Sequence, residues 1–257
     1  MNKVIAALFI SFFCVFLSTE GVAQSINTLL ETFNNRREPD TVRLKAIGDL
    51  AWAYVYENPD SSIVFSKQQL KLSQETKQKK YEAKAHGTIG KSYLNKGNYS
   101  SALDHFLKSL NIRESIGDKQ GVGNCYNNIG IIYVEQSNYP KALENYFKAL
   151  KIREETSDKE GMGDCYTNIG TVFNDQANYS KALEYYSKDL KICQENNNKE
   201  GVAICYNNIG NVYHNQSAFP KTIECYLKAV KVFEELDNQP YMASCYNNIG
   251  SVYSYIA

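Results

Sequence analysis

The sequence contains few of the residues on which catalytic, metal and nucleic-acid sites depend. Only three histidines occur among 257 residues, and neither an H-E-x-x-H motif nor a C-x2-C pair accompanies them. The 28 lysines and arginines are balanced by 28 acidic residues and interleaved with them, which argues against the basic face of a nucleic-acid-binding protein. A nucleophile elbow is also missing. We therefore expect a protein that is not an enzyme and has no cofactor, metal or nucleic-acid partner.

Long apolar runs are missing too, apart from one segment at the N-terminus. Lys3 supplies a positive start, and the uncharged run Val4–Leu17 has 14 residues, fewer than the roughly 20 that cross a bilayer. Small residues follow at Gly21-Val22-Ala23. This order is typical of a cleavable secretory signal, so we assign residues 1–23 to a signal peptide and expect the mature chain to begin near Gln24.

Export predicts a periplasmic or extracellular protein, and two alternatives to a cleaved signal remain. The apolar run can stay attached as an N-terminal anchor. Cys14 can suggest a lipoprotein, although Phe12 and Phe13 stand where small residues would be expected. The mature chain is expected to contain no membrane span.

One repeat dominates the rest of the chain, and its period of about 40 residues lies in the range of stacked repeat architectures. We place copies at residues 81–120, 121–160, 161–200 and 201–240, with a weaker first copy at 41–80, a partial copy at 241–257 and a helical lead-in at 24–40. Two residue types mark the period most clearly: Gly90, Gly130, Gly170, Gly210 and Gly250, and Cys125, Cys165, Cys205 and Cys245.

Each copy has the apolar spacing of two helices. Four residues at i, i+3, i+4 and i+7 lie on one face of a first helix, and four at i, i+4, i+7 and i+8 on one face of a second. These are Tyr126, Ile129, Gly130 and Tyr133, and then Ala142, Tyr146, Ala149 and Leu150. A short turn at 136–138 and a longer turn around residue 118 are expected between helices. Gly130 and Ala142 should allow close approach, with Tyr146 filling the space beside them.

The pattern Tyr126-x2-Ile129-Gly130-x2-Tyr133, followed by Ala142, Tyr146 and Ala149, resembles the tetratricopeptide repeat family. The resemblance implies an all-α fold, a right-handed superhelix or solenoid of stacked helix pairs that binds other polypeptides. The period exceeds the family's usual value of about 34, so the second helix or its following turn should be longer. Such periods resemble those of kinesin light chains, polarity adaptors and the sensor regions of bacterial signalling proteins.

The repeated cysteines are interpreted as small buried residues and not as disulfides. Packed helix axes lie roughly 8–10 Å apart, whereas a disulfide needs Cα atoms roughly 4.4–6.8 Å apart. Ala85 fills the matching place in an earlier copy. The pairing of Cys193 and Cys225, which lie outside this series, stays undetermined.

By the same resemblance, the concave wall of the solenoid comes from the first helices. That wall is neutral and rich in amides, which can donate to and accept from the backbone of an extended peptide. The predicted groove consists of Asn124, Asn127, Ile131, Thr167, Thr171, Asn207, Asn211, His214 and Asn247. These amides can alternatively brace neighbouring helices. For the adjacent row Asn128, Asn168, Asn208 and Asn248 a structural role is favoured, with ligand contact as the alternative.

Two functions remain open on the sequence. The first is an exported scaffold that binds a protein or peptide without catalysis. The second is the sensor part of a larger signalling protein, such as a histidine kinase or transcription regulator. The end at Ala257 falls inside a first helix, which leaves Ile249, Val252 and Ile256 without a second helix and favours truncation or self-association through this helix.

Overall fold

The computed structural model describes residues 19–256, which form twelve α-helices and no strand. The all-α fold is therefore confirmed, with consecutive helices packed in pairs. In chain order they are α1 Thr19–Asn34, α2 Asp40–Ala53, α3 Pro59–Glu75, α4 Lys79–Asn95, α5 Tyr99–Ser115, α6 Lys119–Glu135, α7 Tyr139–Glu155, α8 Lys159–Asp175, α9 Tyr179–Glu195, α10 Lys199–Asn215, α11 Phe219–Glu235 and α12 Gln239–Ile256.

From α3 onward the helices begin at equal intervals, so each repeat consists of two halves of equal length. Helices α3 to α11 each have 17 residues, and each connection has three. The expected longer turn between repeats is therefore wrong. The connections at 116–118 and 136–138 have the same length, so the extra residues of the long period lie in the helices.

One local device makes these turns uniform. Ser137 has a positive φ of 56°, its N–H donates to the Val134 carbonyl at 2.7 Å and the Asn138 N–H donates to the Tyr133 carbonyl at 2.7 Å. This is a Schellman ending. The Asn138 side chain then accepts from the Lys141 N–H at 3.3 Å and caps the next helix. Because one residue closes one helix and starts the next, three residues suffice.

The same positive φ recurs once in every half of a repeat, at the matching place in each turn. The residues concerned are Lys77, Gly97, Gly117, Ser137, Ser157, Ala177, Asn197, Ser217 and Asp237.

The contacts divide the chain into two compact units, residues 1–105 and 106–257. In the described part of the first unit, Leu44, Ile47 and Leu50 of α2 are fully buried. The buried Gln69 of α3 donates to the Leu44 carbonyl at 2.8 Å, so polar groups as well as apolar ones join this helix pair.

The second unit is held together by a tyrosine ring that lies on a glycine in each repeat. A Cβ atom added to Gly130 would lie 2.5 Å from the ring of Tyr146, and one added to Gly170 would lie 2.8 Å from the ring of Tyr186. Both tyrosines are buried. Glycine is thus required for the ring to contact the first helix, and the ring lies on the glycine itself and not beside it as the sequence suggested.

The cysteines lie in this core as expected. Cys125, Cys165, Cys205 and Cys245 are all buried, and the six cysteines of the described residues are free thiols. Desolvation by burial raises the pKa of Cys165 to about 12 and that of Cys245 to about 11. Cys165 and Cys245 therefore pack as small apolar groups.

The two ends of the chain bear on the remaining expectations. The signal segment lies, as far as residue 18, outside the described residues, so its removal stays a prediction. No helix among residues 19–256 has the length and apolar character needed to cross a bilayer. At the other end, Tyr246, Tyr253 and Ile256 of α12 are exposed, and a Cβ on Gly250 would meet no atom within 4 Å.

Replacing Gly170 with leucine should destabilise the protein. The new side chain collides with the buried ring of Tyr186, and overpacking of this kind costs about 1–3 kcal/mol or more. Gly250→Leu is the matched control, because it occupies the same repeat position in open space and should leave the stability unchanged or raised by up to about 1 kcal/mol. Chemical denaturation measures both, and equal effects would contradict the assigned contact.

The buried thiols should react slowly in the folded protein and completely after unfolding. Since the thiolate is the reactive form, a pKa of about 11 instead of 9.0 for Cys245 lowers its alkylation rate near neutral pH about 100-fold, with reactivity rising as the pH approaches that pKa. Mass spectrometry after alkylation measures this site by site. The denatured, unreduced mature protein should show at least four free thiols, and two or fewer would mean that disulfides form.

Candidate functional site

The first helices of successive repeats in the second unit are joined directly through asparagine side chains. The Asn168 amide on α8 donates to Asn127 Oδ1 on α6 at 2.8 Å. The Asn248 amide on α12 donates to Asn207 Oδ1 on α10 at 3.3 Å. We call the face of α6, α8, α10 and α12 that carries the predicted groove residues the amide wall.

The two rows of asparagines that the sequence suggested are therefore hydrogen-bonded to each other in two pairs, whereas Asn128 donates to the Asn124 backbone carbonyl of its own helix. Asn127 and Asn207 use their carbonyl oxygens to brace the next repeat. Within the described residues their amide nitrogens donate no hydrogen bond, and both side chains are partly exposed. Bracing and ligand binding are thus compatible at these two positions, because each amide has a second polar group to offer.

The threonine that interrupts the row forms a different contact. Thr167 stands where the neighbouring repeats have asparagine, and its hydroxyl donates to Asp189 Oδ2 at 2.5 Å. This bond fixes the threonine against α9 and connects the amide wall with a buried carboxylate that the sequence analysis did not single out.

Two other predicted residues bond to the tyrosines that cover the glycines. The Thr171 hydroxyl lies 3.0 Å from the Tyr186 hydroxyl, and the Tyr226 hydroxyl donates to Asn211 Oδ1 at 2.6 Å. Desolvation raises the pKa of Tyr186 and of Tyr226 to about 12, so both hydroxyls stay protonated at neutral pH. The hydroxyl groups of these two buried tyrosines therefore lie at the edge of the amide wall.

The four remaining predicted residues differ in how far a ligand can contact them. Asn124 is exposed, although its side-chain oxygen Oδ1 accepts a hydrogen bond from the guanidinium of Arg153. Ile131 packs partly buried against the core. The His214 ring lies 5.7 Å from that of Tyr255, and Asn247 is exposed.

Charge on the wall is sparse. Arg153 contacts the wall through Asn124, but its side chain is buried and forms an ion pair with Asp158. Partial desolvation and the nearby carboxylate of Asp189 raise the pKa of Asp164 to about 6. At neutral pH this carboxyl is still largely ionised, so the wall carries its negative charge among hydrogen-bonding groups that are mostly neutral.

The lysines of the second helices are engaged elsewhere. Lys148 lies over the ring of Tyr126 at 5.6 Å and bonds to Glu144 at 2.6 Å. Each such contact contributes little when exposed, but the arrangement recurs along the second unit. The corresponding pairs are Lys188 with Tyr166 and Lys228 with Tyr206.

The structure also brings Cys205 of α10 together with Asp189 and Cys193, which are one turn apart on α9. Asp189, Cys193 and Cys205 are all buried, and one ligand atom from each lies within 4.8 Å of the others. Sequence reasoning missed this cluster because it expected no metal and treated Cys193 as unassigned. The available signal was Asp189 itself, an acidic residue at a position that has serine or alanine in the repeats at 81–120, 121–160 and 201–240.

Comparison with known proteins agrees with this architecture. Residues 81–155 and 132–195 match the tetratricopeptide repeat family model. No curated protein matches the chain significantly.

Solved structures of similar fold share little sequence with the chain. BtubC (BKLC) from P. vanneervenii has a TM-score of 0.70 and 16% identity, over 85% of this chain and 91% of that one. A STAND protein with a tetratricopeptide repeat sensor from Pyrococcus horikoshii has a TM-score of 0.73 and 21% identity, over 90% of this chain. A Rap protein complexed with competence and sporulation factor has a TM-score of 0.65 and 13% identity, over 92% and 71%.

These identities establish the fold alone, and the chain spans only 36% of the length of the STAND protein. The family model, by contrast, matches the sequence of residues 81–195 directly. The chain is a helical repeat protein with a long repeat period, and its residues 81–195 are tetratricopeptide repeats.

Proposed function

We propose that this protein is an exported scaffold that binds an extended segment of another polypeptide on the amide wall and catalyses no reaction. Tetratricopeptide repeats are compatible with protein–protein interaction, and no catalytic family matches the chain. The observation that carries the proposal is the state of Asn127 and Asn207. Each is held in place by the next repeat through its oxygen and keeps an unused amide nitrogen at the surface.

This arrangement suits the backbone of an extended peptide. The wall helices α6 and α8, like α10 and α12, lie close enough for their asparagines to bond. One extended peptide, which rises roughly 3.3 Å per residue, can therefore contact neighbouring wall helices. Because the asparagines are already ordered by the ladder, binding loses little additional side-chain entropy.

The neutral character of the wall sets the expected selectivity. A net neutral hydrogen bond contributes about 0.5–1.5 kcal/mol, so several are needed together for useful affinity. Few charges take part, and binding should therefore depend weakly on salt and weakly on the ligand's side chains.

A sensor role within a larger signalling protein is the second candidate. It is supported by the similarity to the tetratricopeptide repeat sensor of the STAND protein and to the Rap protein complexed with competence and sporulation factor. Both roles use the same wall, and they differ in whether ligand binding is passed on to an output domain.

The double variant Asn127→Ala plus Asn207→Ala should lose peptide binding. It removes the two unused donors together with two inter-repeat bonds, so a stability loss of about 1–3 kcal/mol accompanies the effect. The probes are linear peptides selected on the wild-type chain from a random library, and fluorescence anisotropy measures their affinity.

The matched control is Asn168→Ala plus Asn248→Ala. It breaks the same two inter-repeat bonds from the opposite side and should cost similar stability, while the wall keeps Asn127 and Asn207. Retained binding in this control and loss in the first variant would support the proposal. If both variants bind like the wild type, or if the library yields no wild-type binder, the amide wall is not the binding surface.

Export predicts a defined N-terminus. When the full chain is expressed in a bacterial host, the protein outside the cytoplasm should begin at Gln24, as measured by mass spectrometry of its N-terminal peptide. Ala23→Tyr places a large residue where signal peptidase needs a small one, and it should leave the segment uncleaved. Wild-type protein that retains Met1, or that begins at a modified Cys14, would support the anchor or the lipoprotein instead.

A further inference from the structure

Asp189 is a buried carboxylate without a cation partner in the structure. Its side chain, on α9, is only 7% exposed. No lysine, arginine or histidine of the described residues forms an ion pair with it. Burying a carboxylate destabilises the folded state unless the carboxylate is paired or coordinates a metal. We therefore expect Asp189 to have a specific partner.

The groups that face the carboxylate are two thiols and one hydroxyl. Cys205 Sγ on α10 lies 3.2 Å from Asp189 Oδ2, and Cys193 Sγ lies 3.6 Å from Oδ1. Thr167 donates to Oδ2. Thiols are weak hydrogen-bond donors, so two of them compensate a buried charge poorly while they remain protonated.

The other repeats show that folding does not require this arrangement. The position of Asp189 is occupied by Gln69, Ser109, Ala149 and Ala229 in the other copies of the repeat. One turn later, the residues equivalent to Cys193 are Arg113, Arg153 and Phe233. This repeat therefore introduces a carboxylate and, at the same time, replaces an arginine of the two preceding repeats with a thiol.

Two glycines make room for the cluster. A Cβ on Gly163 would lie 2.6 Å from Asp189 Oδ1, and a Cβ on Gly201 would lie 2.5 Å from Cys193 Sγ. Cys193 also borders a surface cavity of about 250 Å³, whose other lining residues include Asn197, Lys199 and Glu235. The cavity gives an ion an approach from solvent to the Cys193 side of the cluster.

We propose that Asp189, Cys193 and Cys205 together bind one divalent metal ion of the zinc class. In tetrahedral zinc sites the Zn–S distance is about 2.3 Å and the Zn–O distance about 2.0–2.2 Å, which places sulfur and oxygen ligands roughly 3.5 Å apart. Each thiol sulfur lies close to this distance from one of the two carboxylate oxygens, Cys205 at 3.2 Å from Oδ2 and Cys193 at 3.6 Å from Oδ1, and one ligand atom of each residue lies within 4.8 Å of the others. The donor set of two sulfurs and one carboxylate suits a borderline-soft ion such as Zn²⁺ and not Mg²⁺ or Ca²⁺.

Binding proceeds with a defined proton balance. The ion replaces the protons of the Cys193 and Cys205 thiols, so two protons leave for each ion bound, and the fourth position is open to water from the cavity. Thr167 orients the carboxylate through its hydrogen bond, as the outer partners of metal ligands do. Because the ligands lie on α9 and α10, the ion joins one repeat to the next behind the amide wall.

The test uses the full chain, purified under reducing conditions and freed of metal with a chelator. Titration with Zn²⁺ should saturate at one ion per chain, release two protons per ion and raise the melting temperature. Co²⁺ should produce the thiolate-to-cobalt charge-transfer band of a tetrahedral site with sulfur ligands.

The variants Asp189→Ala and Cys205→Ala carry residues that other repeats have at the same positions, so they should fold. Each should weaken binding more than about 100-fold, the upper range for removal of a mere outer-shell partner, and Cys193→Ser should act alike. Cys125→Ser and Cys245→Ser are the matched controls, since they remove a repeated cysteine that lies away from the carboxylate, and binding should persist.

Three results would overturn the proposal. The first is the absence of stoichiometric binding to the reduced wild-type chain. The second is a cobalt band that survives in the Cys193 and Cys205 variants or disappears in the two controls. The third is a Cys193–Cys205 disulfide in the freshly isolated chain, found by peptide mapping, together with no metal uptake after reduction.

Discussion

The contact between a glycine of each first helix and a tyrosine ring of the second helix is the constraint on which the second unit depends. Gly130, Gly170 and Gly210 each lie under the ring of Tyr146, Tyr186 or Tyr226, at distances that exclude a Cβ atom. The ring fills the core and sends its hydroxyl to the edge of the wall, where Thr171 and Asn211 meet it. One packing contact thus sets both the approach of the two helices and the position of wall residues.

The three-residue turns, which recur from α3 onward, place this contact at the same position in successive repeats. The same three-residue turn recurs, with a side-chain cap at Asn138, Asn178 and Asn198 but none at Ala218. Each helix therefore begins at a fixed interval after the previous one. A constant interval keeps the glycine and the tyrosine in phase along the chain. It also brings the asparagines of α6 and α8, and of α10 and α12, within hydrogen-bonding distance.

The departures from the repeat are as informative as the repeat itself. Thr167 and Asp189 both break their series, and they are hydrogen-bonded to each other. A carboxylate that replaced alanine in an ordinary core would be destabilising, so its presence beside two thiols requires a reason other than helix packing. The proposed metal site and the proposed peptide wall meet at this pair, since one residue of the pair belongs to each.

The sequence alone determined the helical repeat, its period and the buried faces, because all of these follow from the spacing of residues along one chain. Tyr146, Ala142 and the repeated cysteines could be assigned to the core in this way. It could not decide the length of the turns, because the period constrains only the sum of helix and turn. The tertiary structure decided the rest: that the asparagine rows bond to each other from one repeat to the next, and that Asp189 lies between thiols of two helices. Such contacts depend on how side chains of different repeats are aimed at one another, and periodicity within a single helix contains no information about that.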